Sequence, residues 1–177
     1  MKLTELIDII KADLYRYENN IGLGVFLRYV LFTPGFKYTF KLRVYKYILS
    51  KRISNKFRVL FTYKLKRVTY KYGIQIPIET NVGKGILIRH FGGIFVNPDC
   101  YIGDNLTISQ GVTIGINNGG VPTIGNNVYR APGAKVIGKI NIGNNVVIGV
   151  NAVVTKDIPD NAVVAGNPMK ILYYKDN

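Results

Sequence analysis

His90 and Cys100 are the only histidine and the only cysteine among the 177 residues of this chain, and they are its most obvious chemical groups. Imidazole is neutral near pH 7 yet able to take a proton, so His90 could act as the base that deprotonates a hydroxyl. A lone histidine excludes a histidine-cluster zinc enzyme, and a lone cysteine excludes both an intramolecular disulfide and a thiolate-rich metal site. Cys100 reads as a small inward-facing hydrophobe. The surroundings of His90 are more telling than its chemistry. It opens the stretch His90-Phe91-Gly92-Gly93, which interrupts an otherwise regular pattern, as does Asn117-Asn118-Gly119-Gly120 further on. Loops that leave a rigid scaffold are where sites are built.

The scaffold that must position them is a six-residue repeat. Ile76, Val82, Ile88, Val96, Ile102, Ile108, Ile114, Ile124, Arg130, Val136, Ile142, Ile148 and Val154 mark thirteen units, twelve of them opened by Ile or Val. The next position is often glycine, and the fifth is small or aliphatic, as in Thr80, Cys100, Leu106, Ala134 and Ala152. Such a period does not fit a helix. It fits one short strand plus a corner, three units closing a triangular coil whose interior is filled by the β-branched marker residues. The fold class expected is an all-β solenoid, a left-handed parallel β-helix of hexapeptide repeats, spanning roughly residues 74–160. The step from Ile88 to Val96 is eight and that from Ile114 to Ile124 is ten, so two and four extra residues must bulge outward. Arg130 at an inward position is costly unless the phase shifts there or the guanidinium finds an anion.

Composition changes near Gly73. Residues 1–72 carry 16 Lys and Arg against 4 acids and 15 of the 21 aromatics, but only 3 of the 19 glycines. This predicts an N-terminal α-helical region. Leu6, Ile10, Leu14 and Tyr17 recur at helical spacing behind Thr4 as N-cap, a second helix runs from Gly22 to Thr33, and Phe36 to Tyr72 forms a third and a fourth with a break near Ser50 to Asn55. The expected organisation is therefore 1–72 helical, 73–172 solenoid and 173–177 tail. Between Glu18 and Glu79 lie 13 Lys or Arg and no acid. That run reads either as a solubilising basic face or as a face meeting anionic headgroups with its aromatics at the interface; nucleic acid, lacking a recognition motif, is the least favoured partner. The apolar stretch Ile21 to Phe36 is too short for a transmembrane span, and the first residues lack the pattern of a secretory leader. The cytoplasm is expected, with peripheral attachment to the inner membrane face as its variant.

The units VGKGILIRHFGGIFV (82–96), ISQGVTIG (108–115), APGAKVIGKINIG (131–143) and DIPDNAVVAGNPMKI (157–171) resemble the hexapeptide-repeat acyltransferases, in particular the serine O-acetyltransferases and related polysaccharide acetyltransferases. The resemblance covers about residues 73–172. It implies a homotrimer, acetyl-CoA as co-substrate in a groove between neighbouring prisms, no metal, and a catalytic histidine matching His90. The family's acidic partner of that histidine matches Gln75, and its acidic neighbour matches Arg89; Glu79 is the nearby acid able to substitute as orienter. By the same resemblance Gly115, Ala131 and Gly149 would present backbone groups along the cofactor arm, Pro168 would lie near the adenine, and Lys156 and Lys170 would meet phosphates. The family's second active-site histidine matches Val121 and the preceding carboxylate-binding arginine matches Gly120. The implied reaction is O-acetylation of a hydroxyl on a cell-surface polysaccharide or its lipid-linked sugar precursor. Serine O-acetylation in cysteine biosynthesis and a non-catalytic scaffold or nucleic-acid adaptor are the alternatives.

Overall fold

The computed structural model describes residues 1–51, 53–117 and 119–176, and among these four helices precede fifteen short strands. The helices are α1 (Leu3–Tyr15), α2 (Leu23–Phe32), α3 (Pro34–Leu49) and α4 (Asn55–Tyr72). Thr4 lies within α1 instead of capping it: Lys2 takes the cap position and its N–H donates to the Glu5 carboxylate at 2.7 Å. A carboxylate in the first turn satisfies that orphan donor and, unlike a neutral hydroxyl, adds a charge that complements the helix dipole. Tyr17 falls beyond α1. Pro34 opens α3 at the position where its missing N–H costs nothing. The break between α3 and α4 includes Arg52, which lies outside the described residues.

The strands form three faces of a parallel β-solenoid of about four turns. The first face stacks β1 (Ile74–Gln75), β4 (Ile94–Val96), β7 (Thr113–Gly115), β10 (Lys135–Ile137) and β13 (Val153–Val154). The second stacks β2 (Asn81–Val82), β5 (Tyr101–Ile102), β8 (Thr123–Ile124) and β11 (Asn141–Ile142). The third stacks β3 (Leu87–Ile88), β6 (Thr107–Ile108), β9 (Tyr129–Arg130), β12 (Val147–Ile148) and β14 (Ala162–Ala165), and then adds β15 (Lys170–Tyr174), which pairs antiparallel with β14. All thirteen marker residues are buried, and register aligns like with like: Val96, Ile114, Val136 and Val154 lie over one another on the first face. Arg130 keeps the phase. It sits opposite Ile148, fully buried, and its three guanidinium nitrogens have no hydrogen-bond partner among the described residues. One corner is a ladder of asparagines in the left-handed region, in which Asn105, Asn127, Asn145 and Asn161 pass side-chain bonds of 2.9 to 3.0 Å from coil to coil.

A solenoid leaves an open ladder edge at its first coil, and buried backbone groups there need partners. The helices supply them on all three sides. Tyr38 donates its hydroxyl to the Ile76 carbonyl at 2.9 Å and accepts from the Ile76 N–H at 3.0 Å. Tyr17 does the same at Ile88, at 3.2 and 3.0 Å. Asp13 accepts from the Ile86 N–H, while Arg43 donates to the Val82 carbonyl and Lys46 to that of Thr80. Arg43 and Asp13 are themselves a buried ion pair at 2.9 Å. The close seating of α3 on the coil requires Gly35, because a Cβ there would fall 2.5 Å from the Ile88 carbonyl oxygen.

Candidate active site

His90 stands where the chain steps out of the ladder between the third and first faces. The Arg89 N–H still donates to Ile108 at 3.0 Å, and the chain rejoins the stack at Gly92, whose carbonyl accepts from the Gly111 N–H at 2.9 Å. Between these bonds lie the two surplus residues that the eight-residue step implied. Gly92 and Gly93 turn the chain back with successive positive φ values of 106° and 64°, a path closed to most side chains. Phe91 packs edge-on against Tyr72 at the end of α4, with ring centroids 5.8 Å apart. Arg89 and His90 are exposed, and the imidazole makes no hydrogen bond to the described residues.

From this loop a column of corner residues runs along the prism. Arg89, Ser109, Ala131 and Gly149 each follow a third-face strand and Ala165 ends the last parallel one, joined by bonds such as Ala131 N–H to Ile148 and Gly149 N–H to Val164, at 2.9 and 2.8 Å. At one strand spacing per coil the column is about 19 Å long. It ends in the exposed turn that carries Pro168, where the Met169 N–H donates to the Val153 carbonyl at 3.1 Å. Ala131, Gly149 and Pro168 thus share one edge of the first face with the His90 loop. Gly115 and Lys156 lie at the opposite edge: Gly115 ends β7 opposite Ile137, and Lys156 follows β13. Lys170 opens β15.

Gln75 and Glu79 are brought together with each other. Both line a cavity of about 470 Å³ between α4 and the first coil, with Tyr38, Thr69 and Tyr70 on its other walls, and His90 is not part of that lining. Neither hydrogen-bonds the imidazole within the chain. Glu79 instead faces Lys46, whose affinity for its proton burial lowers and Glu79 partly restores. In the second interruption Asn117 and Gly120 exchange backbone bonds at 3.3 Å, Val121 packs against the solenoid core, and Asn118 lies outside the described residues. At the position that the resemblance matches to the family's second histidine, this loop therefore offers a half-buried aliphatic.

Periodicity alone did not single out Arg16. This residue caps the C-terminus of α1 and donates from Nη2 to the hydroxyl of the buried Thr107 at 2.7 Å. Burial first, and the neighbouring Arg89 second, push its pKa below the usual arginine value. Its only sequence signal is a basic residue just past a helix end, which is ordinary in itself.

No family model matches the chain. Serine acetyltransferase from Staphylococcus aureus strain Mu50 is 35% identical over 134 residues, covering 73% of this chain and 63% of the relative. That from Synechococcus elongatus is 36% identical over 156 residues, 86% of this chain and 61% of the relative. The chain thus spans a little over three fifths of the length of these relatives. Among solved structures, serine acetyltransferase from Brucella abortus superposes with a TM-score of 0.80 at 26% identity, covering 97% of this chain and 70% of that one. The same enzyme in complex with coenzyme A gives 0.83 at 26% identity, covering 98% and 70%. With sequence likeness across the repeats and structural likeness extending over the helices as well, the chain is similar to the hexapeptide-repeat acyltransferases of the serine O-acetyltransferase type and shares their fold.

Proposed function

We propose that this chain transfers an acetyl group from acetyl-CoA to a hydroxyl, with His90 as general base. The observation that carries the reading is the position of the single histidine: exposed, out of the ladder, at the head of a corner column that ends in the closing turn of a fold whose relatives bind coenzyme A. His90 would take the proton as the acceptor oxygen attacks the thioester carbonyl. Collapse of the tetrahedral intermediate breaks the C–S bond, and the imidazolium returns the proton to the departing thiolate. Gln75 is the proposed orienter of the imidazole and Glu79 its substitute, roles that need a rearrangement or a neighbouring prism, since within one chain both line the cavity beneath α4 and His90 does not. Gly115, Ala131 and Gly149 would offer backbone groups to the cofactor arm, Pro168 a surface for the adenine, and Lys156 and Lys170 charge for its phosphates. Since these residues occupy both edges of the first face, a groove between two prisms of a homotrimer is the arrangement that would let one cofactor meet them.

Free serine is the acceptor favoured by the relatives. A sugar hydroxyl of a polysaccharide or its lipid-linked precursor is the second reading, favoured by Gly120 and Val121, which leave that loop without a cationic clamp or second imidazole. Thiol release from acetyl-CoA, measured with serine and with a panel of neutral sugars, separates the two. Turnover with serine at submillimolar concentration supports the first, turnover only with sugars supports the second, and none with either acceptor class, together with no binding of acetyl-CoA, removes both.

The sugar reading also places the chain at the membrane face. No helix among the described residues is long and apolar enough to cross a membrane. Leu23 and Phe32 on α2 are 73% and 78% exposed, and Lys56, Lys64, Lys66 and Arg67 on α4 have no acidic partner among the described residues. Flotation with anionic vesicles should retain the protein at low salt and release it at high salt; indifference to vesicle charge would remove the membrane from this account.

A further inference from the structure

We propose that Arg16 and Arg89 together form a seat for an oxyanion, carboxylate or phosphate, carried by the acceptor beside His90. That the anion belongs to the acceptor rests on the acetyl-transfer reading above; the seat itself rests on geometry.

Tyr17 locks the two arginines to each other. Its hydroxyl holds both the N–H and the carbonyl of Ile88, so Arg16 lies one residue before the anchor and Arg89 one residue after the anchored strand. The Arg16 guanidinium then reaches across to the next coil, where one of its donors is used by Thr107, a residue only 4% exposed. The other four N–H donors of that planar fork, and all five of Arg89, have no hydrogen-bond partner among the described residues. Two positive groups are thereby held near each other, one of them partly buried, in a way that depresses the pKa of Arg16.

The treatment of other arginines shows what this omits. Where Arg43 is buried for structural reasons it receives the Asp13 carboxylate and two backbone carbonyls. Arg28 has Glu18. These are the only two ion pairs among the described residues, and neither includes Arg16 or Arg89. A pair of guanidinium groups with donors to spare and no counter-charge is complementary to a bound oxyanion, which guanidinium recognises bidentately. Its place next to His90 in the chain ties that anion to the reacting hydroxyl. Recognition of an acidic acceptor would then come from the first coil and α1, not from the loop at Gly120.

Arg89→Gln is the informative variant, since the side chain is exposed and its loss should leave folding intact. Calorimetric titration with inorganic phosphate and with serine should show binding of at least one by the wild type, weakened roughly ten- to a hundredfold in Arg89→Gln and unchanged in a Lys84→Gln control. In kinetic assays the variant should raise KM for an anionic acceptor by a similar factor without raising KM for acetyl-CoA. Serine against serine amide, and a sugar phosphate against its parent sugar, identify whether the anion is carboxylate or phosphate. Arg89→Gln that binds both probes as the wild type does, or a wild type that binds neither, overturns the seat. A protein that binds the probes but not acetyl-CoA keeps the seat and removes the acetyl-transfer reading.

Discussion

Arg130 occupies a site that the neighbouring coil fills with Ile148, and its guanidinium lies inside the prism near the Cys100 thiol. Burial pushes the arginine down to about 9 and the thiol up to about 11, so near pH 7 a charged arginine faces a neutral cysteine. An unpaired buried charge opposes folding. Arg130→Met, similar in length and apolar, should therefore stabilise the chain by about 1 to 4 kcal/mol, read from denaturant midpoints at pH 7. The pH dependence has a defined sign. Above about pH 9 the folded chain gives up this proton while the unfolded chain keeps it, so the penalty from Arg130 lessens as pH rises through that window. The raised thiol of Cys100 acts with the opposite sign, and comparison with Arg130→Met isolates the arginine. The advantage of Arg130→Met should shrink between pH 8 and pH 10.5 or so, and an advantage constant over that range would mean that the charge is compensated. His90→Ala belongs to the same scale. The loop stands outside the ladder, so the variant should fold and bind acetyl-CoA, while acetyl transfer falls by about a hundredfold or more. Equal rates would assign the base elsewhere.

At the scale of elements, the helices act through a few polar side chains aimed at the first coil. Tyr17→Phe and Tyr38→Phe each delete one hydroxyl that satisfies both a backbone donor and a backbone acceptor, and each should cost about 1 to 3 kcal/mol in thermal or chemical denaturation. The repeat made the solenoid legible because each inward position recurs every six residues and each coil presents the same shape to the next. The surplus two residues made the His90 loop legible by the same arithmetic. The cap is a different kind of information. Tyr17 meets Ile88 across 71 residues and Arg43 meets Asp13 across 30, single pairings with no period to betray them. Tyr17 therefore reads as part of an apolar helical stripe and Arg43 as part of a basic face, although both point inward. Gln75 and Glu79 illustrate a second limit. Both stand close to His90 in sequence, but the chain turns two corners between them, and spacing along a coil does not say which wall a side chain lines.

The molecule as a whole is proposed to be one prism of three. Phe95 and Tyr101 on adjoining faces, with Ile116 and Val150 at the corners, are exposed apolar groups for which association offers burial. Sedimentation at micromolar concentration should give the mass of a trimer, and a monomer would leave the two edges of the first face without a common cofactor groove. The sealed ends of the prism carry a further consequence. A parallel solenoid offers at each end the same ladder that it uses internally, and is thus a template for its own continuation. Here the starting end is occupied by Tyr17, Tyr38, Asp13 and Arg43, and the finishing end is turned over by antiparallel β15. The cap helices are, in this respect, chain terminators of a potential polymer. A protein beginning at residue 73 keeps β15 but bares the first coil, and should associate through that one open edge, read as added mass in sedimentation, whereas the full chain should stay at fixed mass under the same conditions.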